Sequence, residues 1–167
     1  QEQIPSLEAY RLQPNSMQVG FINNLKKIYD AGEDQALLIS ATGTGKTYAS
    51  AFAMRELGFK RVLFLVHRNQ IAKQAKKSYR KVFGEKVSMG LVTGNYQEYD
   101  RDFVFATIQT LSKDDTLSKY DKTAFDAIVI DEAHHSSASS YKRVLEYFTP
   151  KLWLGMTATP DKRDDNL

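Results

Sequence analysis

Two short stretches of this 167-residue chain hold residue types at spacings that could do chemistry. The first is SATGTGKT, residues 40–47. Its glycines let successive backbone N–H groups turn inward around phosphate oxygens, and a helix starting there adds the positive end of its dipole. In such a loop Lys46 reaches the β- and γ-phosphates of a nucleotide and the Thr47 hydroxyl binds a magnesium ion. Ser40 stands where the usual pattern has its first glycine, which taken alone weakens the reading. The second stretch is DEAHH, residues 131–135. Asp131 is placed to hold magnesium, directly or through water, and Glu132 to polarise the water that attacks a γ-phosphate. An isolated Asp-Glu pair is more often a solvated turn; the phosphate loop gives this one its weight. His134 and His135 invite a zinc reading, but they are adjacent, the chain has no cysteine, and His67 is the only other histidine, so no zinc site is expected.

These residues need elements to position them. Short apolar runs predict strands over 36–40, 61–66, 86–92, 103–107, 125–130 and 152–156. Helical patterning predicts helices over 16–30, 46–57, 69–82, 107–112 and 139–148. Runs such as Ala127 to Ile130 are apolar without alternation, as expected of strands covered on both faces. Strands alternating with helices give an α/β, doubly wound fold, a largely parallel sheet with helices on both sides. In such sheets ligands bind at the carboxyl ends of strands, where both chemical stretches fall.

Composition sets the outer limits. The length suits one domain spanning 1–167. Apolar residues at 42% and charged residues at 26% are ordinary for a globular protein. No run approaches the ~20 apolar residues of a membrane span, so no membrane partner is expected. The start QEQIPSLEAY lacks a secretory pattern and there is no cysteine, pointing to a reducing, cytoplasmic setting; the missing initial Met suggests an excised or processed piece. The net charge of +3 is unevenly spread: residues 60–86 hold nine Lys/Arg against the single acid Glu85. This block could attract a polyanion. It could equally be a solvated helix face, because Ile71, Ala75, Tyr79 and Val82 recur at helical spacing and leave the lysines on the other side.

Taken together, the motifs resemble the first RecA-like domain of a superfamily 2 DEAH-box helicase or translocase. ATGTGKT is similar to that group's motif I, in which the first glycine is often replaced, so Ser40 is unsurprising there. VLFLVHRNQIAKQA (62–75) resembles motif Ia, VFATIQTL (104–111) the Ic block, DEAH (131–134) motif II and GMTATP (155–160) motif III. YRLQPNSMQVGFINNL (10–25) is similar to the lead segment in which a glutamine reads adenine. HRNQIAKQA, TIQTL and TATPDKRDD resemble most the branch of restriction-enzyme motor subunits and excision-repair helicases.

The resemblance implies ATP and Mg2+ as cofactors, nucleic acid as partner with DNA favoured over RNA, and a second RecA-like domain. It implies that Thr42, Gly43, Thr44, Gly45, Lys46 and Thr47 wrap the triphosphate, that Gln18 contacts adenine, and that Asp131 and Glu132 serve the metal and hydrolysis. It implies that His134, Thr157 and Thr159 couple nucleotide state to domain movement. Arg68, Thr93, Gly94, Thr107 and Gln109 become candidates to grip a nucleic-acid backbone, against a plainer capping role for Thr107 and a plain turn at Thr93-Gly94. Arginines that complete the γ-phosphate site belong to the second domain, so the isolated chain is expected to bind ATP weakly and hydrolyse it slowly. Two other classes stay open: an ATP-driven switch acting on protein, and a nucleotide-binding module without catalysis.

Overall fold

The computed structural model describes residues 13–40, 43–132 and 139–158. In chain order the elements are α1 (Ser16–Asp30), β1 (Gln35–Ser40), α2 (Gly43–Leu57), β2 (Val62–Val66) and α3 (Asn69–Phe83). A 3-10 turn (Gly84–Lys86) leads to β3 (Met89–Val92), β4 (Phe103–Thr107), α4 (Ile108–Leu111), α5 (Asp114–Leu117), β5 (Ala127–Asp131), α6 (Ser139–Tyr147) and β6 (Leu152–Ala158). The six strands form one sheet in the order β1-β6-β5-β2-β4-β3. Every neighbouring pair is parallel, for instance Leu38 beside Met156 and Leu63 beside both Val104 and Ile128. The sequence expectation of a largely parallel, doubly wound sheet is met in full.

The core is split by the sheet. One face packs Phe64, Phe105, Val129 and Leu154 under Phe52, Met54, Ala75 and Tyr79 of α2 and α3. The other packs Leu63, Leu65, Val104 and Ile128 against Ile108, Leu111, Tyr141 and Val144 of the later helices. Strands β2, β4 and β5 are buried at every residue, which explains their unbroken apolar runs. Helix α2 buries most of its circumference, Ala49 and Ala51 to Met54 included, and so has little amphipathic signal. Helix α3 is the opposite: Ala72, Ala75, Tyr79 and Val82 form one buried stripe and five cations lie off it. Both helices are stopped by a left-handed glycine, Gly58 at φ 76° and Gly84 at φ 68°, whose N–H groups bond back to Met54 and Arg80 carbonyls.

Several predicted boundaries need correction. The strand expected over 86–92 begins only at Met89, because Gly84–Lys86 closes α3 with a 3-10 turn. The strands expected over 61–66 and 125–130 begin at Val62 and Ala127. Asp126 stands outside the ladder, its carboxylate accepting from the backbone N–H groups of Lys60 and Arg61 at 2.9 and 3.1 Å. Helix α2 starts at Gly43 rather than residue 46, since the phosphate loop itself takes up its first turn. The helix expected over 107–112 is the short α4, followed by the unforeseen α5, whose four residues are too few for periodicity to reveal.

At one sheet edge β3 is shielded. Val92 makes an antiparallel bridge with Gln97, the Glu98 N–H donates to the Leu91 carbonyl, and the Leu91 N–H donates to Glu98 Oε1 at 2.9 Å. The segment can lie so close because residue 90 is glycine: a Cβ there would meet the Glu98 carbonyl oxygen at 2.9 Å. Among the described residues no helix is long and apolar enough to cross a membrane.

Candidate nucleotide site

Helix α2 carries Lys46 across the top of β6 to the end of β5. There its ammonium lies 3.0 Å from Asp131 Oδ1 and 2.9 Å from Glu132 Oε2. These groups are 85 or 86 positions apart in sequence and meet because β1 and β5 flank β6 and both end at the same sheet edge. Lys46 is 3% exposed. Burial pulls its pKa down, but hydrogen bonds and charge from Glu132 and Asp131 outweigh that, and the net shift is upward from 10.5. The lysine is therefore a fixed cation held by two carboxylates.

Glu132 reaches Lys46 through an unusual backbone. Its φ of 56° is the only positive value at a non-glycine among the described residues. Such a conformation costs of order 1–3 kcal/mol and persists where the surroundings impose it, typically at functional sites. Here the Glu132 N–H donates to Asp131 Oδ1 at 3.0 Å, so the aspartate fixes the turn that presents the glutamate.

Lys46, Thr47, Asp131 and Glu132 line a cavity of about 240 Å3, closed on one side by Gln74 and Ser78 of α3. Gln74 and Ser78 were missed from sequence. The available signal was their i, i+4 spacing beside the apolar stripe, which puts both on the border of the buried face. Helix α3 is tied to the loop helix by Ser50, whose hydroxyl donates to the Thr47 carbonyl at 2.7 Å and lies 2.8 Å from the Tyr79 hydroxyl. Burial, only partly offset by the Ser50 hydrogen bond and reinforced by Asp131, pushes the Tyr79 phenol far above its ordinary pKa, so it stays a neutral hydrogen-bonding group.

Gln18 sits at the third position of α1 in a capping box. Its N–H donates to Asn15 Oδ1 at 2.8 Å, and the Asn15 N–H donates to Gln18 Oε1 at 2.9 Å. Its Nε2 donates to the Gly45 carbonyl at 3.3 Å, so this side chain joins the lead helix to the phosphate loop. An amide nitrogen has a second hydrogen to offer.

Of the remaining predicted site residues, Thr42, His134 and Thr159 lie outside the described residues, and of Gly43 and Thr44 only the helical backbone is described. Thr157 lies late in β6, beside Ile39 of β1. The five backbone-grip candidates sit at or just after the carboxyl ends of β2, β3 and β4, on the same side of the sheet as Lys46, but they divide in character. Arg68, Gly94 and Gln109 are exposed, and Gln109 Nε2 donates to the His67 carbonyl at 3.2 Å. Thr93 and Thr107 are buried, and their hydroxyls are engaged locally: Thr93 Oγ1 accepts from the Asn95 N–H, and Thr107 Oγ1 donates to Thr110 Oγ1. Thr107 is the N-cap residue of α4, though its side chain makes no cap hydrogen bond.

Comparison with known proteins decides the family. The family described as type III restriction enzyme, res subunit, matches residues 11–162. The chain belongs to that family. It is 34% identical over 159 residues to the type I restriction enzyme EcoAI endonuclease subunit of Escherichia coli, a match covering 88% of this chain and 19% of that protein. It is 36% identical over 141 residues to a Saccharomyces cerevisiae protein provisionally named ATP-dependent helicase IRC3, covering 74% of this chain and 20% of the other. This restriction-subunit family chain thus spans about a fifth of the length of these relatives. Its fold matches the crystal structure of a hypothetical ATP-dependent RNA helicase from Sulfolobus tokodaii with a TM-score of 0.71 at 23% identity, over 98% of this chain and 52% of that one. The RecA-like fold and superfamily 2 membership expected from the motifs are borne out.

Proposed function

We propose that this chain is the ATP-binding half of a nucleic-acid helicase or translocase. One observation carries the reading: Lys46 of the phosphate loop rests on Asp131 and Glu132 at the end of β5, in a cavity at the strand ends. A buried lysine gripping two carboxylates is poised to turn to a nucleotide's phosphates, exchanging one set of anions for another. Glu132, released from Lys46, is then the base that orients and deprotonates the attacking water. The Asp131 hydrogen bond to the Glu132 N–H keeps that carboxylate aimed while the exchange happens.

The donors suit Mg2+. Among the described residues no three His, Asp or Glu side chains converge, and the oxygens lining the cavity include the Thr47 hydroxyl and the Asp131 carboxylate. Magnesium is commonly held by one or two protein oxygens, with phosphates and water supplying the rest. When bound, the ion would neutralise charge on the β- and γ-phosphates. Gln18, fixed to the loop at Gly45, is the adenine contact in this reading. Thr157 and its strand transmit nucleotide state, and Arg68, Gly94 and Gln109 touch the nucleic-acid backbone, with DNA favoured over RNA. A second RecA-like domain supplies the arginine that completes the site.

The test measures ATP turnover of the full-length protein without polymer and with single-stranded DNA, duplex DNA or RNA, beside Glu132→Gln. Stimulation by at least one polymer is expected, with turnover falling ~10²-fold or more in the variant while ATP binding persists. Turnover indifferent to every polymer would sink the motor reading, and an unimpaired variant would remove Glu132 from the chemistry.

A further inference from the structure

The outer side of α3 and the shielded edge of β3 enclose a second groove, of about 580 Å3, which shares no lining residue with the cavity around Lys46, although that cavity is lined by Gln74 and Ser78 of the same helix. One wall is cationic: Lys73, Lys76, Lys77, Arg80 and Lys81 line it, and α3 contains no acidic residue. Tyr96 lines the groove as well, half-exposed, with the Lys73 ammonium 5.3 Å from its ring centre. Two lining groups are committed elsewhere. The Arg80 guanidinium donates to the Gly84 and Val87 carbonyls at 3.0 and 2.9 Å, and Glu98, the groove's one acid, accepts from the Leu91 N–H. Among the described residues, no ion pair engages Lys73, Lys76, Lys77 or Lys81.

We propose that this groove is a second binding site for the sugar–phosphate backbone of a nucleic acid, outside the strand-end track. The proposal rests on the motor reading above and extends it. From Lys73 to Lys81 the helix rises ~12 Å, which is the axial reach of roughly three phosphates of one strand. Lysines are suited to this task because they act as point charges on flexible stems and follow a backbone without reading bases. Tyr96 offers a ring on which a base or sugar can stack. Its position also joins the two tracks: Tyr96 and Thr93 exchange backbone hydrogen bonds of 2.9 and 3.4 Å, so the groove opens beside the Thr93-Gly94 turn and runs back along α3. An acidic protein segment would satisfy the charges but has less use for the ring.

The test uses the full-length protein and measures duplex and single-strand affinity across a salt series. The triple variant Lys73→Glu, Lys77→Glu, Lys81→Glu alters exposed side chains only. It is expected to lower the slope of log affinity against log salt by ~2–3 on duplex and to weaken binding at least ~10-fold at low salt. Tyr96→Ala is expected to weaken single-strand binding about fivefold or more. The control triple Lys60→Glu, Lys122→Glu, Lys151→Glu makes the same charge change at exposed positions just before β2 and β6 and in the loop before β5, outside the groove lining and at the starts of the strands, and should leave the slope unchanged. An unchanged slope in the groove triple overturns the proposal, as does an equal loss in the control. Loss of polyglutamate binding with nucleic-acid binding intact would make the groove a protein site and also overturn it. If the parent protein binds no nucleic acid at any salt, the motor reading falls with it; if the parent binds and only the groove triple is silent, the groove alone falls.

Discussion

Two cationic regions sit on neighbouring helices and behave in opposite ways. Lys46 on α2 is buried and holds two carboxylates within 3.0 Å, whereas Lys73, Lys77 and Lys81 on α3 are exposed and have no acid on their helix. The difference is one of solvent. Taking an ammonium out of water costs several kcal/mol unless anions replace the water, so Lys46 can exist only as part of its triad. The α3 lysines keep their water and stay available to whatever anion arrives. The first cation is bound into the fold; the second set is held in reserve by it.

The comparison can be broken most directly at Lys46. Lys46→Ala leaves Asp131 and Glu132 facing one another without a counter-charge, and a loss of about 3–5 kcal/mol in denaturant unfolding is expected. Because the folded-state pKa of Lys46 is raised, its stabilisation is fully present below the ordinary value of 10.5 and disappears only as pH climbs through the folded value. The gap between parent and variant should therefore stay constant from neutral pH up to about 10.5 and close above it. A variant as stable as its parent would show that the triad is assembled for chemistry at no net gain to the fold.

A smaller effect is expected where the groove is shaped. Gly90→Ala places a methyl 2.6 Å from Arg101 Cγ and 2.7 Å from Glu98 Cβ, so the strap over the β3 edge must move. A cost of about 1–3 kcal/mol is expected, read by thermal unfolding. A neutral outcome would mean that the strap is soft and does not define the groove. Smallest of all, Lys77→Ala should change stability by less than about 0.5 kcal/mol. A larger loss would place that lysine in the fold and erase the contrast with Lys46.

Much of this was legible beforehand. The boundaries of α1 over residues 16–30 and β4 over 103–107 match the pattern in the sequence, because helical spacing and an unbroken apolar run are local signals. That Lys46, Asp131 and Glu132 belong to one site was legible as chemistry, since a phosphate loop gives a strand-end acid pair its weight; that the lysine rests on both carboxylates was not. What failed was also local: α5 is a single turn, and the start of β3 is displaced by a 3-10 turn that no period announces.

The sequence by itself determined the expected kind of site and the parallel sheet that bears it, because those depend on residue type, on unbroken apolar runs and on a helical repeat of 3.6 along the chain. Only the tertiary structure decided that the Thr93 and Thr107 hydroxyls are spent on local turns, that Gln74 and Ser78 close the cavity around Lys46, and that the α3 lysines and Tyr96 line one groove. Each of these depends on distances between residues that the chain keeps apart, and on which groups lose their water when the helices close over the sheet.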